Sequence, residues 1–424
     1  MFRNFFLEKV YSRKPRILKY SKNTLVYKIL QYSYNNTRYY KKLIDDIGGF
    51  PDSESKTFSL LEKIPVLTKE LIRENEEMLI ASQKRSGLHW NTSGGSSGKP
   101  IRILQDNLYL QSSRYIVYNQ KTKTGFIWGL PLIKVWGDER EILGQNRSLR
   151  DILINRIKKQ TVLNSFKLTS ENKLQILKYI SNNCSGIVVG YVQSIYQIAL
   201  FAKEMKVKIN SPRSIIVSAG TLYPFMREKI KKVFSSDLYN RYGSREVGPI
   251  AMSGPNQDSL YITKGCWVEV LDEADKPVPF GIEGEIVITS LINYAMPLIR
   301  YKIGDRGSLE AVEKDGKIDI RIKKLTGRSV DLFTTQDGNK VDGEFFTHLM
   351  YFRDWVKEFQ FVQKNYNSIV LSVVVKYEPS NEEINEIELG VKAAMSKKCT
   401  LSVKYVDKIP NPKSGKFRFT ISEV

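Results

Sequence analysis

The stretch Thr92-Ser93-Gly94-Gly95-Ser96-Ser97-Gly98-Lys99-Pro100 packs three glycines, four hydroxyl side chains and one ammonium into nine residues. Glycines bring backbone N–H groups close to an anion, hydroxyls add donors, and Lys99 adds charge. The chemistry this suits is the holding of a polyphosphate. It is not a Walker loop: Ser93 stands where the first glycine belongs, and Pro100 where the magnesium-binding hydroxyl belongs. Gly/Ser content alone equally describes a flexible linker. Four later motifs give the loop its company: Arg241-Tyr242-Gly243-Ser244-Arg245-Glu246, Tyr301-Lys302-Ile303-Gly304-Asp305, Leu325-Thr326-Gly327-Arg328 and Ser414-Gly415-Lys416. Taken singly, Gly304-Asp305 reads as a turn, Gly327-Arg328 as a linker and Lys416 as a solvated tail residue.

The elements that must position these motifs follow from hydrophobic periodicity. Thr68 caps a helix start that leads towards the glycine loop; Ile101–Leu104 is strand-like, and Asp106 caps a helix running to about Gln120. Short β-branched runs at Leu132–Trp136, Gly186–Val189 and Ser214–Val217 alternate with helix-period segments at Asn172–Ile180, Ser194–Met205 and Phe225–Phe234. Alternation of this kind predicts an α/β fold with a parallel-rich sheet that binds ligands at the carboxyl ends of its strands. The loops placed there are Gly190-Tyr191, Ser218-Ala219-Gly220-Thr221 and Tyr242-Gly243-Ser244. From about Tyr261 the texture becomes β-rich, with strands Trp267–Leu271 and Glu285–Thr289 around a turn-rich stretch. Residues 331–424 read as a separate α+β unit: strands Phe359–Gln363 and Ile369–Val375, a helix over 382–397, and strand Leu401–Val406. The domains expected are therefore 1–328, large, with an N-terminal helical segment, and 329–424, small.

At 424 residues, 42% hydrophobic and 26% charged, the chain has the composition of a folded protein with room for both domains. A formal charge of +21 calls for an anionic partner. The basic residues are scattered without a run of five, which argues against a dedicated nucleic-acid binder. Three distant cysteines make neither a disulfide framework nor a zinc cluster, and two histidines exclude a His-rich metal site. No apolar run is long enough to span a membrane or make a signal peptide, so the expected location is cytoplasmic. Residues 1–44 carry eleven Lys/Arg against one acid, with aromatic residues interleaved. That pattern fits a helical layer packed on the main domain, or a helix touching a membrane surface.

The five motifs, in this order and spanning Thr92 to Arg418, resemble the adenylate-forming superfamily of acyl-CoA synthetases and adenylation domains. Within it, Tyr242-Gly243-Ser244-Arg245-Glu246-Val247-Gly248 resembles the phenylacetate-CoA ligase group, including the CapK-like proteins of capsular polysaccharide clusters. The resemblance implies a large domain followed by a small mobile lid, with a carboxylic acid activated by ATP and magnesium. Thr92–Lys99 would hold the β- and γ-phosphates, Ala219, Gly220, Gly243 and Ser244 would bind the nucleotide, and Tyr242 would offer a flat face to the adenine. Glu246 would ligate magnesium, Asp305 would accept both ribose hydroxyls, and Arg328 would contact ribose or phosphate at the hinge. Lys416 would reach the α-phosphate and the attacking carboxylate. Trp136, Tyr191 and Ala219 are candidate walls of the acid pocket.

Some positions depart from the family pattern. Arg245 replaces a small hydroxyl residue, and either contacts phosphate or forms an ion pair. Val330 replaces the usual acidic hinge residue, with Asp331 one step later. Ala251–Leu260 lacks the Cys/His cluster of some relatives, so no zinc is expected. The acyl acceptor remains open among coenzyme A, an acyl carrier protein and an amino sugar; the other class of function is a nucleotide-binding or scaffold member without catalysis.

Overall fold

The computed structural model describes residues 2–92, 101–136, 149–165, 170–314, 316–328, 332–338, 340–350, 353, 355–409 and 419–424. The first stretch forms helices α1 (Phe2–Tyr11), α2 (Lys22–Asn36), α3 (Arg38–Asp46), α4 (Thr57–Lys63), α5 (Lys69–Glu74) and α6 (Glu76–Leu79). Strands β1 (His89–Thr92) and β2 (Arg102–Gln105) follow, then helix α7 (Asn107–Thr122). An alternating stretch comes next: β3 (Leu132–Val135), α8 (Leu149–Ile157), β4 (Gln160–Leu163), α9 (Ser170–Asn182), β5 (Ile187–Tyr191), α10 (Val192–Glu204), β6 (Ser214–Ser218) and α11 (Pro224–Phe234). Strands then run in succession as β7 (Asp237–Ser244), β8 (Gly248–Ser253), β9 (Leu260–Ile262), β10 (Cys266–Leu271), β11 (Gly284–Ser290), β12 (Tyr301–Lys314) and β13 (Lys317–Arg328). The last stretch holds β14 (Leu332–Thr334), β15 (Lys340–Asp342), α12 (Gly343–Met350), β16 (Val356–Asn365), β17 (Ser368–Val375), α13 (Asn381–Ala394), β18 (Thr400–Tyr405) and β19 (Thr420–Ser422).

These stretches assemble into two compact units, each made from two of them: Met1–Gly129 with Tyr239–Lys324, and Leu130–Leu238 with Leu325–Val424. In the first unit the strands lie in the order β10-β11-β12-β13-β9-β8-β7. The pairs β10/β11, β11/β12 and β7/β8 are antiparallel, as expected of a β-rich region whose neighbours are joined by turns. The basic N-terminal residues form a packed helical layer. Leu25, Val26, Ile29 and Leu30 of α2 are fully buried, and the Tyr40 hydroxyl of α3 donates to the Pro297 carbonyl at 3.2 Å while accepting from the Ile299 amide at 3.0 Å. Tyr11 of α1 packs on Trp128, ring centroids 4.9 Å apart. No helix among the described residues is long and apolar enough to cross a membrane.

In the second unit β6-β5-β3-β4 is a parallel sheet. Its strands are continuous apolar runs because helices cover them: Ile133, Val188, Ile215 and Val217 share one core with Leu177, Ile195, Ile198 and Ile230. That core continues into Phe346, Trp355, Phe361 and Leu371 of the C-terminal stretch, whose own sheet runs β18-β17-β16-β19. Tyr223 carries the junction, stacked with Phe225 and edge-on to Phe345 at 6.4 Å. The architecture is the α/β one read from the periodicity: a parallel-rich segment, an antiparallel β-rich segment and an α+β C-terminal region.

Small differences have local causes. The helix capped by the Thr68 side chain, which accepts from the Leu71 amide, stops at Glu74. There Asn75 turns its side-chain amide back onto the Leu71 carbonyl at 2.9 Å, and α6 starts afresh. Asp106 caps α7 as expected, accepting from the Tyr109 amide at 2.8 Å.

Candidate functional site

Strands β7 and β8 form a hairpin whose tip is Arg245-Glu246-Val247, closed by the pair Ser244↔Gly248 and by a bond from the Val247 amide to Ser244 Oγ at 3.3 Å. Gly248 has φ +82°, and a Cβ there would stand 2.9 Å from the Tyr109 hydroxyl, so the turn and the approach to α7 both require glycine. The tip is fastened from outside. Asn91 Nδ2 and Gln105 Nε2 both donate to the Arg245 carbonyl, at 3.1 and 3.0 Å. His89 Nε2 on β1 lies 3.1 Å from Gln105 Oε1 on β2. Asn91 and Gln105 belong to β1 and β2, which pair antiparallel up to Thr92↔Arg102, the two stems of the glycine-rich loop. The stems of the loop and the tip bearing Glu246 are therefore one hydrogen-bonded assembly.

Glu246 is 7% exposed and has no hydrogen-bond or ion-pair partner among the described residues. Its carboxylate, engaged by no described side chain at the hairpin tip, is a hard oxygen donor of the kind that ligates magnesium. Arg245 is exposed, with no ion-pair partner among the described residues.

Tyr242 and Asp305, 63 positions apart in the chain, meet directly: the Tyr242 hydroxyl donates to Asp305 Oδ2 at 2.6 Å. Asp305 reaches that place through a bulge. Glu285 pairs with Arg306 but Val287 with Lys302, so β12 carries two extra residues across the stretch that contains Gly304 at φ +90°. Glycine supplies the left-handed backbone that lets the strand swell and turn Asp305 towards Tyr242.

In the second unit the register of the parallel strands sets Val135 beside Gly190 and Gly190 beside Val217. The residues just beyond lie together at the carboxyl edge. Trp136 packs on Tyr191 with ring centroids 4.0 Å apart. Ala219, exposed after β6, holds φ +54°, a left-handed conformation unusual for a residue with a Cβ, and Gly220 follows at φ +153°. Ser93 to Lys99 and Lys416 lie outside the described residues, as does the side chain of Arg328, whose backbone ends β13.

Asn91 and Gln105 were not legible as site residues, because their partner is a backbone carbonyl that has no signature in sequence. The one available signal was Gln105 itself, an amide following the apolar pair Ile103-Leu104. No group of three or more His, Cys, Asp or Glu placed to hold a metal occurs among the described residues. Cys266 and Cys399 are buried, and desolvation pushes their thiols up to about 12 and about 11.

Residues 333–423 match the CapK C-terminal domain family. The chain is 26% identical over 403 residues to Protein CapK of Staphylococcus aureus, spanning 93% of this chain and 86% of that one. It is 23% identical over 341 residues to the phenylacetate-coenzyme A ligase of Escherichia coli K12, spanning 73% and 71%. A crystal structure of 2-hydroxyisobutyryl-CoA ligase, in the postadenylation state with 2-HIB-AMP, superposes with TM-score 0.59 at 15% identity, covering 95% of this chain and 89% of that one. The chain is thus a relative of CapK and of the phenylacetate-coenzyme A ligases, built on the fold of the adenylate-forming ligases.

Proposed function

We propose that the chain activates a carboxylic acid with ATP, forming an acyl-adenylate and releasing pyrophosphate, and then passes the acyl group to a thiol or amine. The observation that carries this reading is the assembly in the first unit: the Gly/Ser loop stems bound to the hairpin of Glu246, beside the Tyr242–Asp305 pair. A carboxylate oxygen attacks the α-phosphorus while the bond to the β-phosphate oxygen breaks. Two anions must meet, so catalysis consists mainly of positioning and charge neutralisation. Thr92–Lys99 hold the β- and γ-phosphates, the Tyr242 ring faces the adenine, and the Asp305 carboxylate accepts from the ribose diol. Glu246 holds magnesium, which when bound offsets phosphate charge. Arg328 and Lys416 supply further cationic contacts.

The acceptor is the thiol of coenzyme A, the cosubstrate in the names of the ligase relatives. Similarity to CapK favours a second reading, in which the acceptor is a carrier-protein thiol or an amino sugar in surface polysaccharide synthesis. An acceptor panel offered to the preformed acyl-adenylate separates the two.

Purified protein with ATP, magnesium, a competent acid and its acyl acceptor is expected to yield AMP and pyrophosphate in equal amounts. Stoichiometric ADP and phosphate would rule out adenylation. Asp305→Ala is expected to weaken ATP binding by about 1.5–3 kcal/mol, the worth of a hydrogen bond to a charged acceptor. Titration calorimetry checks this, and unchanged affinity in the folded variant would reduce Gly304-Asp305 to a strand bulge.

A further inference from the structure

Helix α10 starts directly on the last residue of β5, without the usual capping. Its N-cap residue Tyr191 makes no side-chain capping bond, so the first-turn amides of Val192, Gln193 and Ser194 point out with no intrahelical acceptor. The two polar side chains of that turn are deeply buried: Gln193 is 7% exposed and Ser194 1%. Neither Nε2 nor Oε1 of Gln193, nor Oγ of Ser194, finds a hydrogen-bond partner among the described residues. Side chains of a helix lean towards its N-terminus, which directs each of these side chains towards the open end of α10.

That end lies at the carboxyl edge of the parallel sheet. Tyr191, which precedes the helix, packs on Trp136, and Val192 stands 3.5 Å from where a Cβ on Gly220 would be. The unpaired amide therefore belongs to the turn that directly follows Tyr191, one of the residues that border the acid pocket in the reading above. Natural cores rarely leave both ends of a buried amide unpaired; a leucine would fill the same volume.

We infer that the acid activated by this chain carries a neutral hydrogen-bonding substituent, a hydroxyl or a carboxamide, which Gln193 reads at the open N-terminus of α10. This rests on the ligase reading and names its substrate class. Gln193 offers one donating and one accepting face, which a hydroxyl or a carboxamide meets together. A bare hydrocarbon meets neither. A second carboxylate would satisfy Nε2 while opposing Oε1, and an ammonium would do the reverse. Trp136 and Tyr191 supply flat apolar surface for the rest of the acyl group.

The test is ATP–pyrophosphate exchange with matched acids: benzoate, phenylacetate, cinnamate and butyrate, each beside its hydroxyl, carbamoyl and second-carboxylate derivatives. The wild-type protein is expected to prefer a hydroxyl or carbamoyl acid over its parent by at least about a hundredfold in kcat/KM, as polar pockets reject analogues that leave them unpaired. Gln193→Leu is expected to shrink that preference to within about threefold, through the KM of the acid, with the KM of ATP unchanged. Should the leucine variant not fold, the unbranched Gln193→Met carries the same comparison. Parent acids used as well as their derivatives by the wild type, or a preference that survives in the apolar variant, would overturn the inference and leave the ligase reading standing. Exchange with none of the acids, in a protein that binds ATP, would overturn the ligase reading and the inference with it.

Discussion

Lys416→Ala is expected to release pyrophosphate at no more than about one hundredth of the wild-type rate, the loss typical when one transition-state charge contact is removed. In an adenylation step the attacking carboxylate and the α-phosphate repel each other until a cation lies between them. A compact ammonium on a flexible stem does this better than any neutral donor. ATP affinity is expected to change little, because in the proposed arrangement the phosphates are held mainly by Thr92–Lys99. Transfer from a synthetic acyl-adenylate is expected to stay within about tenfold of wild type, since that step no longer joins the two anions. Measuring both half-reactions separates this role from the others. Full pyrophosphate release by the variant would remove Lys416 from the mechanism, and equal loss in both steps would remove its restriction to the first.

Glu246→Gln is expected to lower adenylation by about a hundred- to a thousandfold, and at the same time to leave the melting temperature unchanged. Both expectations come from one feature. The carboxylate makes no hydrogen bond or ion pair with a described residue, so an isosteric amide removes its charge without breaking a contact or opening a cavity. A side chain kept for packing would show the opposite pattern, with little effect on rate and a lower melting temperature. Raising magnesium is expected to recover part of the lost rate, and thermal denaturation beside a magnesium titration of pyrophosphate release reads both quantities. A destabilised variant with normal magnesium dependence would make Glu246 structural.

The parallel strands were legible because burial on both faces leaves continuous apolar runs: Ile187–Val189 and Ile215–Val217 admit few other readings. Helix starts were legible at Asp106 and Thr68, where the capping chemistry is local. Strand β1 was not, since His89-Trp90-Asn91-Thr92 alternates between half-buried and exposed and holds no apolar run. Short β19, with three residues, gave no periodicity to read either. In the site, Tyr242 and Asp305 could be named from their motifs, but not the bond between them, which depends on a two-residue bulge in β12. Asn91 and Gln105 grip a carbonyl 154 and 140 residues away, and no local pattern announces such a contact. Gln193 escaped for another reason: in a helix that also carries Gln197, an amide becomes conspicuous only when its surroundings are known to lack a partner.

The interleaving of the two units has a consequence for how the protein comes to exist. The chain passes from one unit to the other after Gly129, Leu238 and Lys324. As it leaves the ribosome, the first unit has its helices and the loop stems early, yet must wait for residues 239–324 to supply the strands that complete it. The second waits longer, until its last residues emerge. Contacts made late and over such sequence distances slow folding and prolong the exposure of apolar surface. Refolding from denaturant is expected to be multiphasic and prone to aggregation, and expression is expected to respond to chaperones more than to small gains in native stability.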